Sequence, residues 1–216
     1  RIRAATGHEI RVLSGEEEAV LIGHGLNSDP TLSDLDDYYV FDLGGGSLEC
    51  LAFRNRKLER AVSLPLGCVR LTEKFVADPT QPFSATSADR VIAHTRAAFA
   101  SAGFPFVLPA SAVAVGTGGT VATVRSILAA RAGKSFEATD PEVTVAELHL
   151  LLSWLGALPL TTRRQIQGLP PTRADVFPAA LATLLAVAQA GGFSAFQNSV
   201  CNLRHGVAGE LLSRAS

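Results

Sequence analysis

The sequence has few of the features that mark membrane or nucleic-acid-binding proteins. No stretch approaches the roughly 18 to 20 consecutive apolar residues that a bilayer span requires, and the longest apolar run, 177–190, is interrupted by Thr183 and Gln189. The charges of the 19 basic and 20 acidic side chains nearly cancel, so the chain lacks the excess of basic residues that is typical of nucleic-acid-binding proteins. We therefore expect neither a membrane span nor a nucleic-acid partner.

Cysteine is scarce and methionine is absent. The three cysteines, Cys50, Cys68 and Cys201, have no CxxC spacing and no histidine nearby at the spacing of zinc ligands. This pattern predicts small buried side chains in a reducing compartment rather than a metal cluster. The first residues, RIRAATGHEIRV, lack the apolar core of a signal peptide, which predicts a cytoplasmic protein. With no initiator methionine, we expect the sequence to be part of a longer gene product.

What the sequence does contain is apolar material for a large core. Hydrophobic residues make up 47% of its 216 positions, and its mean hydropathy is +0.25. This composition is typical of a well-buried globular chain with one substantial core or two small ones.

Three β-rich runs follow one another closely near the middle of the first half. They are YYVFDLG, LECLAFRN and KLERAVSLPL, and only the short turns GGS and NRK separate them. Such spacing is typical of an antiparallel meander. Residues 38–66 are therefore predicted to form three antiparallel strands.

The rest of the chain mixes helical patterns with single strands. The run SAVAVGT predicts a strand that leads directly into the helix GGTVATVRSILAARAG, and we expect it to pair with the meander through residues 112–115. Further short strands are predicted at EIRVL (9–13) and NSVCN (198–202). From Val143 onward the sequence predicts mostly helix. The order predicts an α/β fold over residues 1–216, with a mixed five-stranded sheet of the ribonuclease H type and helices on both faces.

A glycine loop connects the first two strands of the meander. Asp42 ends the first strand and Glu49 lies at the start of the second. Consecutive N–H groups of glycines can surround a phosphate, and a pair of carboxylates beside phosphate oxygens is suited to a hard divalent ion. A tight hairpin with a structural aspartate is the simpler alternative. The loop residues are Gly44, Gly45, Gly46 and Ser47.

A second glycine loop, GTGGT (116–120), leaves another strand and opens a helix. The N–H groups and the dipole of that helix also favour a phosphate, through Gly118, Gly119 and Thr120. In a sheet of the predicted type, both loops emerge at one edge. Two facing glycine loops with carboxylates between them predict a cleft for phosphate transfer or hydrolysis.

Six blocks of the sequence resemble the exopolyphosphatase and guanosine pentaphosphate phosphohydrolase (Ppx/GppA) family. They are RVLSGEEEAVL, VFDLGGGSLEC, SLPLGCVRLTEKF, AVGTGGTVATV, RADVFPAAL and LRHGV, in the order of the family. The resemblance implies the actin-like ATPase fold and hydrolysis of phosphoanhydride bonds in inorganic polyphosphate or pppGpp.

The resemblance also implies roles for individual residues. Glu18 matches the catalytic glutamate that is proposed to activate water, and Asp42 and Glu49 match the acids associated with Mg²⁺. Arg173, in RADVFP, matches a basic position suited to phosphate charge. Phosphate binding falls to the two loops, Gly44 to Ser47 and Gly118 to Thr120. Cys68 is better explained by packing than as a nucleophile.

The sequence also departs from the family pattern. Leu48 stands where Thr or Ser is usual, and Ala179 where Gly is usual. The family carries an N-terminal domain with its own phosphate loop, which is expected to precede this chain, and the full-length protein is expected to be a homodimer. Two other functions stay open: an ATP-dependent kinase or ATPase of the same superfamily, and a non-catalytic remnant that binds a phosphorylated ligand.

Overall fold

The protein is built around one sheet, which we describe from a computed structural model covering residues 2–7 and 9–215. The strands within those residues are β1 (Tyr38–Leu43), β2 (Leu48–Arg54), β3 (Lys57–Leu64), β4 (Val113–Thr117), β5 (Glu142–Thr144) and β6 (Ala195–Asn198). The α-helices are α1 (Ile2–Thr6), α2 (Gly15–Asn27), α3 (Cys68–Phe75), α4 (Ala85–Ala102), α5 (Gly118–Arg131), α6 (Val145–Gly156), α7 (Leu160–Arg163), α8 (Phe177–Gly191) and α9 (Leu203–Ala215). Short 3₁₀ helices cover Pro30–Leu32 and Pro171–Arg173.

The sheet has the strand order β3-β2-β1-β4-β6-β5. β1, β2 and β3 are antiparallel neighbours, β4 runs parallel to β1 and to β6, and β5 is antiparallel to β6. The predicted meander and its pairing with β4 in a single sheet are confirmed. The C-terminal ends of β1, β4 and β6 therefore lie at the same edge of the sheet.

The sheet has six strands rather than the predicted five. The added strand, β5, lies where the sequence indicates mostly helix, because it is only three residues long and runs directly into α6. Thr144 ends β5 and also caps α6, where its hydroxyl accepts a hydrogen bond from the N–H of Glu147. So short a strand has no periodicity that a sequence pattern can display.

Two other predicted strands are wrong. Residues 9–13 form no strand within the described chain, and the side chains of Ile10 and Val12 are 64% and 87% exposed, so their alternation buries nothing. The last strand, β6, ends at Asn198, where NSVCN was predicted to begin. The residues after Asn198 instead form a buried polar turn, in which the Ser199 hydroxyl donates to Asp29.

Side chains that alternate along the strands pack into two separate hydrophobic cores, one on each face of the sheet. On one face, Val40 and Leu51 pack with Ile22 and Leu26 of α2. On the other face, Phe41 belongs to a larger core whose members come from α3, α4, α5, α6 and α8. Helices therefore cover both faces, as predicted. None of the helices in the described ranges combines the length and apolar character needed to cross a membrane.

Two glycines allow α2 and α9 to pack with their main chains in contact. A Cβ built on Gly206 of α9 would overlap the carbonyl oxygen of Leu21 in α2 and lie 2.7 Å from its carbon. A Cβ on Gly25 of α2 would likewise overlap the carbonyl oxygen of Asn202, next to α9. Because α2 also carries Glu18, this contact helps to fix the position of a predicted site residue.

We expect the substitution Gly206→Ala to destabilise the fold. Overpacking of this kind costs about 1–3 kcal/mol, against a gain of about 1 kcal/mol in helix propensity, so the free energy of unfolding should fall by up to about 2 kcal/mol. Gly209 lies in the same helix, and a Cβ there would meet nothing within 4 Å, so Gly209→Ala should be neutral or stabilising. Chemical denaturation of both variants measures the difference. Equal stability would contradict the close contact.

Candidate active site

The predicted site residues meet where β1 and β4 end. Asp42 of β1 lies opposite Glu49 of β2 on one side and opposite Thr117 of β4 on the other. The first glycine turn follows β1, and the second glycine loop follows Thr117. The pairing of β1 with β4 thus brings both loops to one edge of the sheet, as the sequence predicted.

The first glycine turn is held from outside by the start of α3. Its carbonyl oxygens point to that helix, and those of Gly44 and Gly45 accept hydrogen bonds of 3.0 Å from the N–H groups of Cys68 and Val69. Because the carbonyls face α3, the N–H groups face away from it. Within residues 2–7 and 9–215, no acceptor is found for the N–H groups of Gly45, Gly46 and Ser47.

The backbone angles of this turn do not require glycine. None of Gly44, Gly45 and Gly46 has a positive φ. A Cβ on Gly45 would come within 3.3 Å of Val69, whereas a Cβ on Gly46 would meet nothing within 4 Å. The fold by itself therefore does not require glycine at position 46, and the missing side chain leaves the main chain open to close approach by a ligand.

Gly67, just before α3, is required by the packing of this turn. A Cβ at Gly67 would overlap the carbonyl group of Gly45 and the main chain of Gly46. The absence of a side chain at Gly67 is what allows α3 to reach the turn. No role for this residue was predicted from the sequence.

The second loop is shaped by contact between Gly118 and Asp42. Gly118 has a φ of +74°, and a Cβ there would overlap Oδ1 of Asp42 and lie 2.9 Å from its Cγ. α5 begins at Gly118, and the preceding Thr117 makes no capping hydrogen bond from its side chain. The first N–H groups of α5 are thus left for a ligand at the positive end of the helix dipole.

Arg173 lies across the start of α5. Its Nη2 donates to the Thr120 hydroxyl at 2.8 Å, and its Nη1 donates to the Thr123 hydroxyl at 3.2 Å. The Thr120 hydroxyl in turn donates to the carbonyl of Leu43 at 2.8 Å. The side chain of Thr120 is therefore used within the protein, and only its N–H group is left for the predicted phosphate contact.

A cleft of about 360 Å³ lies between the two loops and Arg173. About half of the residues that line it were predicted from the sequence. The others contribute a thiol, a hydroxyl, a carboxylate and three apolar side chains. The lining residues are Asp42, Leu43, Gly44, Gly45, Cys68, Val69, Gly119, Thr172, Arg173, Asp175 and Val176.

Cys68 is a buried wall of this cleft. Its side chain is 2% exposed, and burial raises the pKa of the thiol, although the nearby Arg173 guanidinium acts in the opposite direction. A raised pKa disfavours the thiolate that a nucleophile needs. The packing role predicted for Cys68 agrees with this environment.

Three carboxylates interact at the site. Glu49 is 3% exposed and accepts a hydrogen bond of 2.8 Å from the Ser63 hydroxyl. Burial raises the pKa of Asp42 to about 6, with further contributions from the charges of Glu49 and Glu18, while Arg173 lowers it. Partial burial and then the charge of Glu49 raise the pKa of Glu18. Arg173 offsets this repulsion only in part, so a cation would stabilise the carboxylates at the sheet edge.

The donor set fits a magnesium ion shared with a phosphate ligand. Asp42 and Glu49 offer hard oxygen donors on adjacent strands. Among the described residues, no group of three His, Cys, Asp or Glu side chains is arranged to hold a metal ion. Mg²⁺ commonly uses one or two carboxylates and completes its shell with phosphate oxygens and water. Two carboxylates beside the two glycine loops meet the protein's part of that requirement.

Some residues of the site could not have been identified by residue type. Thr123 and Thr172 have no distinctive spacing, and Asp175 is one acid among 20 acidic residues. Gly67 and Cys68 do lie in the block LGCVRL, which contributes to the family resemblance without indicating a role for Gly67. The clearest sequence signal that Gly67 has a structural role is its position immediately before a helix.

Comparisons with known proteins show the family and the fold of the chain. A sequence model described as the Ppx/GppA phosphatase family matches residues 1–215. Three solved structures illustrate the likeness in fold. A Ppx/GppA family member from Aquifex aeolicus has a TM-score of 0.79 at 22% identity, covering 100% of this chain and 69% of that chain. An exopolyphosphatase from Cytophaga hutchinsonii has a TM-score of 0.83 at 20% identity, covering 99% and 68%. An exopolyphosphatase-like protein has a TM-score of 0.85 at 23% identity, covering 100% and 72%.

The contact between Gly67 and the first glycine turn predicts opposite effects for two alanine substitutions. Gly67→Ala should lower the free energy of unfolding by about 1–3 kcal/mol, because its Cβ must displace main chain. Gly46→Ala should leave stability within about 0.5 kcal/mol of the wild type but weaken binding of inorganic phosphate about tenfold, because its Cβ would enter the ligand space. Denaturation and calorimetric titration separate the two effects. Phosphate affinity unchanged in Gly46→Ala would contradict a ligand at this turn.

The raised pKa of Asp42 predicts a stability that depends on pH. The folded protein holds a proton on Asp42 up to about pH 6, whereas an unfolded aspartate loses it near 3.8. The folded state therefore binds more protons in that interval, and the free energy of unfolding falls as the pH rises through it.

We expect Asp42→Asn to be more stable than the wild type at about pH 8 in the presence of EDTA, by about 2–3 kcal/mol. Below about pH 4, where both states are protonated, this advantage should disappear. Glu49 of β2, Glu18 of α2 and Arg173 are the charged groups that face Asp42, and they remain unchanged in this variant. Denaturation curves across this range test the prediction. An advantage independent of pH would show that Asp42 is ionised without penalty.

Proposed function

Because the chain belongs to the Ppx/GppA phosphatase family, we propose that it hydrolyses phosphoanhydride bonds of inorganic polyphosphate or pppGpp. One observation carries the proposal within this chain. Residues of two glycine loops with free N–H groups line one cleft, together with Arg173 and the carboxylate of Asp42. This combination suits a chain of phosphates, whose charge is spread over many oxygens.

Binding of the terminal phosphates is assigned to main-chain groups and Arg173. The N–H groups of Gly45, Gly46 and Ser47 point away from α3, and the first N–H groups of α5 add the helix dipole. Arg173 supplies a full positive charge with directional donors. Because these groups are fixed before the ligand arrives, they stabilise developing negative charge without reorganisation.

Asp42 and Glu49 would hold Mg²⁺ beside these phosphates. When bound, the ion neutralises charge on the phosphate oxygens and offsets the repulsion between the carboxylates. The hydrogen bond from the Ser63 hydroxyl to Glu49 restricts the orientation of that carboxylate.

Glu18 is the proposed general base. It lies in the first turns of α2, and its raised pKa places it nearer to neutral pH than an exposed glutamate. A glutamate in this position takes a proton from water as the water oxygen attacks the terminal phosphorus. The bond from that phosphorus to the bridging oxygen breaks, and the bridging oxygen leaves with the shortened chain. The proton on Glu18 is then lost to solvent.

We propose that the wall of the cleft opposite these residues is supplied by the N-terminal domain expected to precede this chain. That domain would carry a phosphate loop of its own. Without that wall, the transition-state charge would face water, where fixed donors have much weaker effects. We therefore expect the isolated 216-residue chain to be nearly inactive.

The neighbouring glutamate, Glu17, offers a matched control for Glu18. Its side chain accepts a hydrogen bond from the N–H of Ser14 and forms an ion pair with Arg11, completing the capping box of α2. A glutamine at position 17 can still accept the capping bond, so the helix is preserved.

In the full-length protein, Glu18→Gln should lower the turnover of polyphosphate or pppGpp about a hundredfold to ten-thousandfold, the usual effect of losing a positioned base. Its affinity for phosphate and its melting temperature should change little, and Glu17→Gln should retain wild-type turnover. Phosphate release is measured with polyphosphate, pppGpp and ATP as substrates.

The outcome of that assay separates the candidate functions. Wild-type rates in Glu18→Gln would refute the role of Glu18. Turnover of ATP alone would indicate a kinase or ATPase of the same superfamily, and phosphate binding without turnover of any substrate would indicate a binding protein.

A further inference from the structure

The guanidinium of Arg173 is held by a pair of threonine hydroxyls on α5. Thr120 and Thr123 are separated by three positions, which places both on the same side of the helix. Arg173 reaches them from the 3₁₀ helix Pro171–Arg173, with one Nη atom on each hydroxyl. Both threonines are buried, at 0% and 6% exposure.

Each hydroxyl can serve the arginine only as an acceptor. The single proton of Thr120 goes to the carbonyl of Leu43, and that of Thr123 goes to the carbonyl of Gly119 at 2.6 Å. A hydroxyl whose proton is already used presents only lone pairs, which match the N–H groups of a guanidinium. The two carbonyls thus orient the two oxygens, and the two oxygens orient Arg173.

We propose that Thr123 is a positioning residue that, together with Thr120, aims Arg173 at the phosphate cleft. Two acceptors fix the plane of the guanidinium, whereas one would leave it free to rotate about a single hydrogen bond. Arg173 also interacts with the thiol of Cys68, and the N–H groups that neither this thiol nor the threonines use are left for a ligand. This inference rests on the proposed function, since the ligand of Arg173 is taken to be a phosphate.

Other contacts restrict Arg173 without orienting it. Nη1 would lie 2.8 Å from a Cβ on Gly119, so the glycine leaves room for the guanidinium. The Phe177 ring is 6.0 Å from the guanidinium carbon and provides a flat apolar neighbour. Neither contact has a direction that would set the guanidinium plane, and the hydroxyl of Thr123 supplies one.

A second threonine serves as a control that separates the contribution of Thr123 to helix stability from its role in positioning Arg173. Thr183 of α8 is 0% exposed and donates to the carbonyl of Ala179, four residues earlier, as Thr123 does to that of Gly119. Helix geometry already pairs these carbonyls with main-chain N–H groups, so either hydroxyl can be removed at small cost. Among the described residues, only Thr123 of the two accepts a hydrogen bond from an arginine.

The test compares Thr123→Val, Thr123→Ser and Thr183→Val in the full-length protein. Thr123→Val should lower kcat/KM about tenfold and weaken the binding of inorganic phosphate by a similar factor. Thr123→Ser restores the acceptor and should recover both values to within about threefold. Thr183→Val should match the wild type, and melting temperatures check that all variants are folded. If Thr123→Val does not fold, Thr123→Ala is measured in its place, with the same expectation.

A second arm repeats the substitution in an Arg173→Met background. There, Thr123→Val should have no further effect on phosphate affinity, because the residue it positions is gone. Full additivity of the two substitutions, or wild-type affinity in Thr123→Val, would overturn the inference. Phosphate affinity is read by calorimetry without turnover, so a wild-type protein that binds phosphate but hydrolyses neither substrate refutes the proposed function while still testing Thr123.

Discussion

The site depends on the approach of the Gly118 main chain to the carboxylate of Asp42. The approach exists because β1 and β4 are adjacent and parallel and end in register, with Asp42 opposite Thr117. A side chain at Gly118 would occupy the position of the carboxylate, and its φ of +74° is itself unfavourable for other residues. If either loop shifted, the start of α5 and the first glycine turn would no longer meet beside Asp42.

The charge at the site is a cost that the rest of the fold compensates. Asp42, Glu49 and Glu18 come from three different elements, and their mutual repulsion contributes to the raised pKa values of Asp42 and Glu18. Apolar cores on both faces of the sheet hold those elements in place, so the carboxylates cannot move apart to relieve the repulsion. A bound cation would offset this energy, which means that the same repulsion favours ligand binding.

The sequence predicted the features that have local patterns. Short turns between β-rich runs indicated the meander, and a strand followed directly by glycines and a helix indicated β4 and α5. It failed for residues 9–13, because an alternating pattern does not reveal whether a partner strand exists, and for β5, which is too short to show a period. Gly67 and Thr123 act through contacts with residues 22 and 50 positions away, and no local pattern reports such contacts.

The glycines of the two loops, and Gly67 beside the first loop, are needed for different physical reasons, and this difference bears on how the site works. Gly118 and Gly67 are required by the protein itself, since a side chain at either would collide with atoms that are always present. Gly46 has an ordinary φ and open space around its Cβ position, so the fold would tolerate a side chain there. The first group builds the cleft, whereas Gly46 keeps it accessible. A turn that α3 holds in place and that still leaves its N–H groups open can receive an anion without rearrangement, and such preorganisation is the main means by which a site stabilises charge that develops during a reaction.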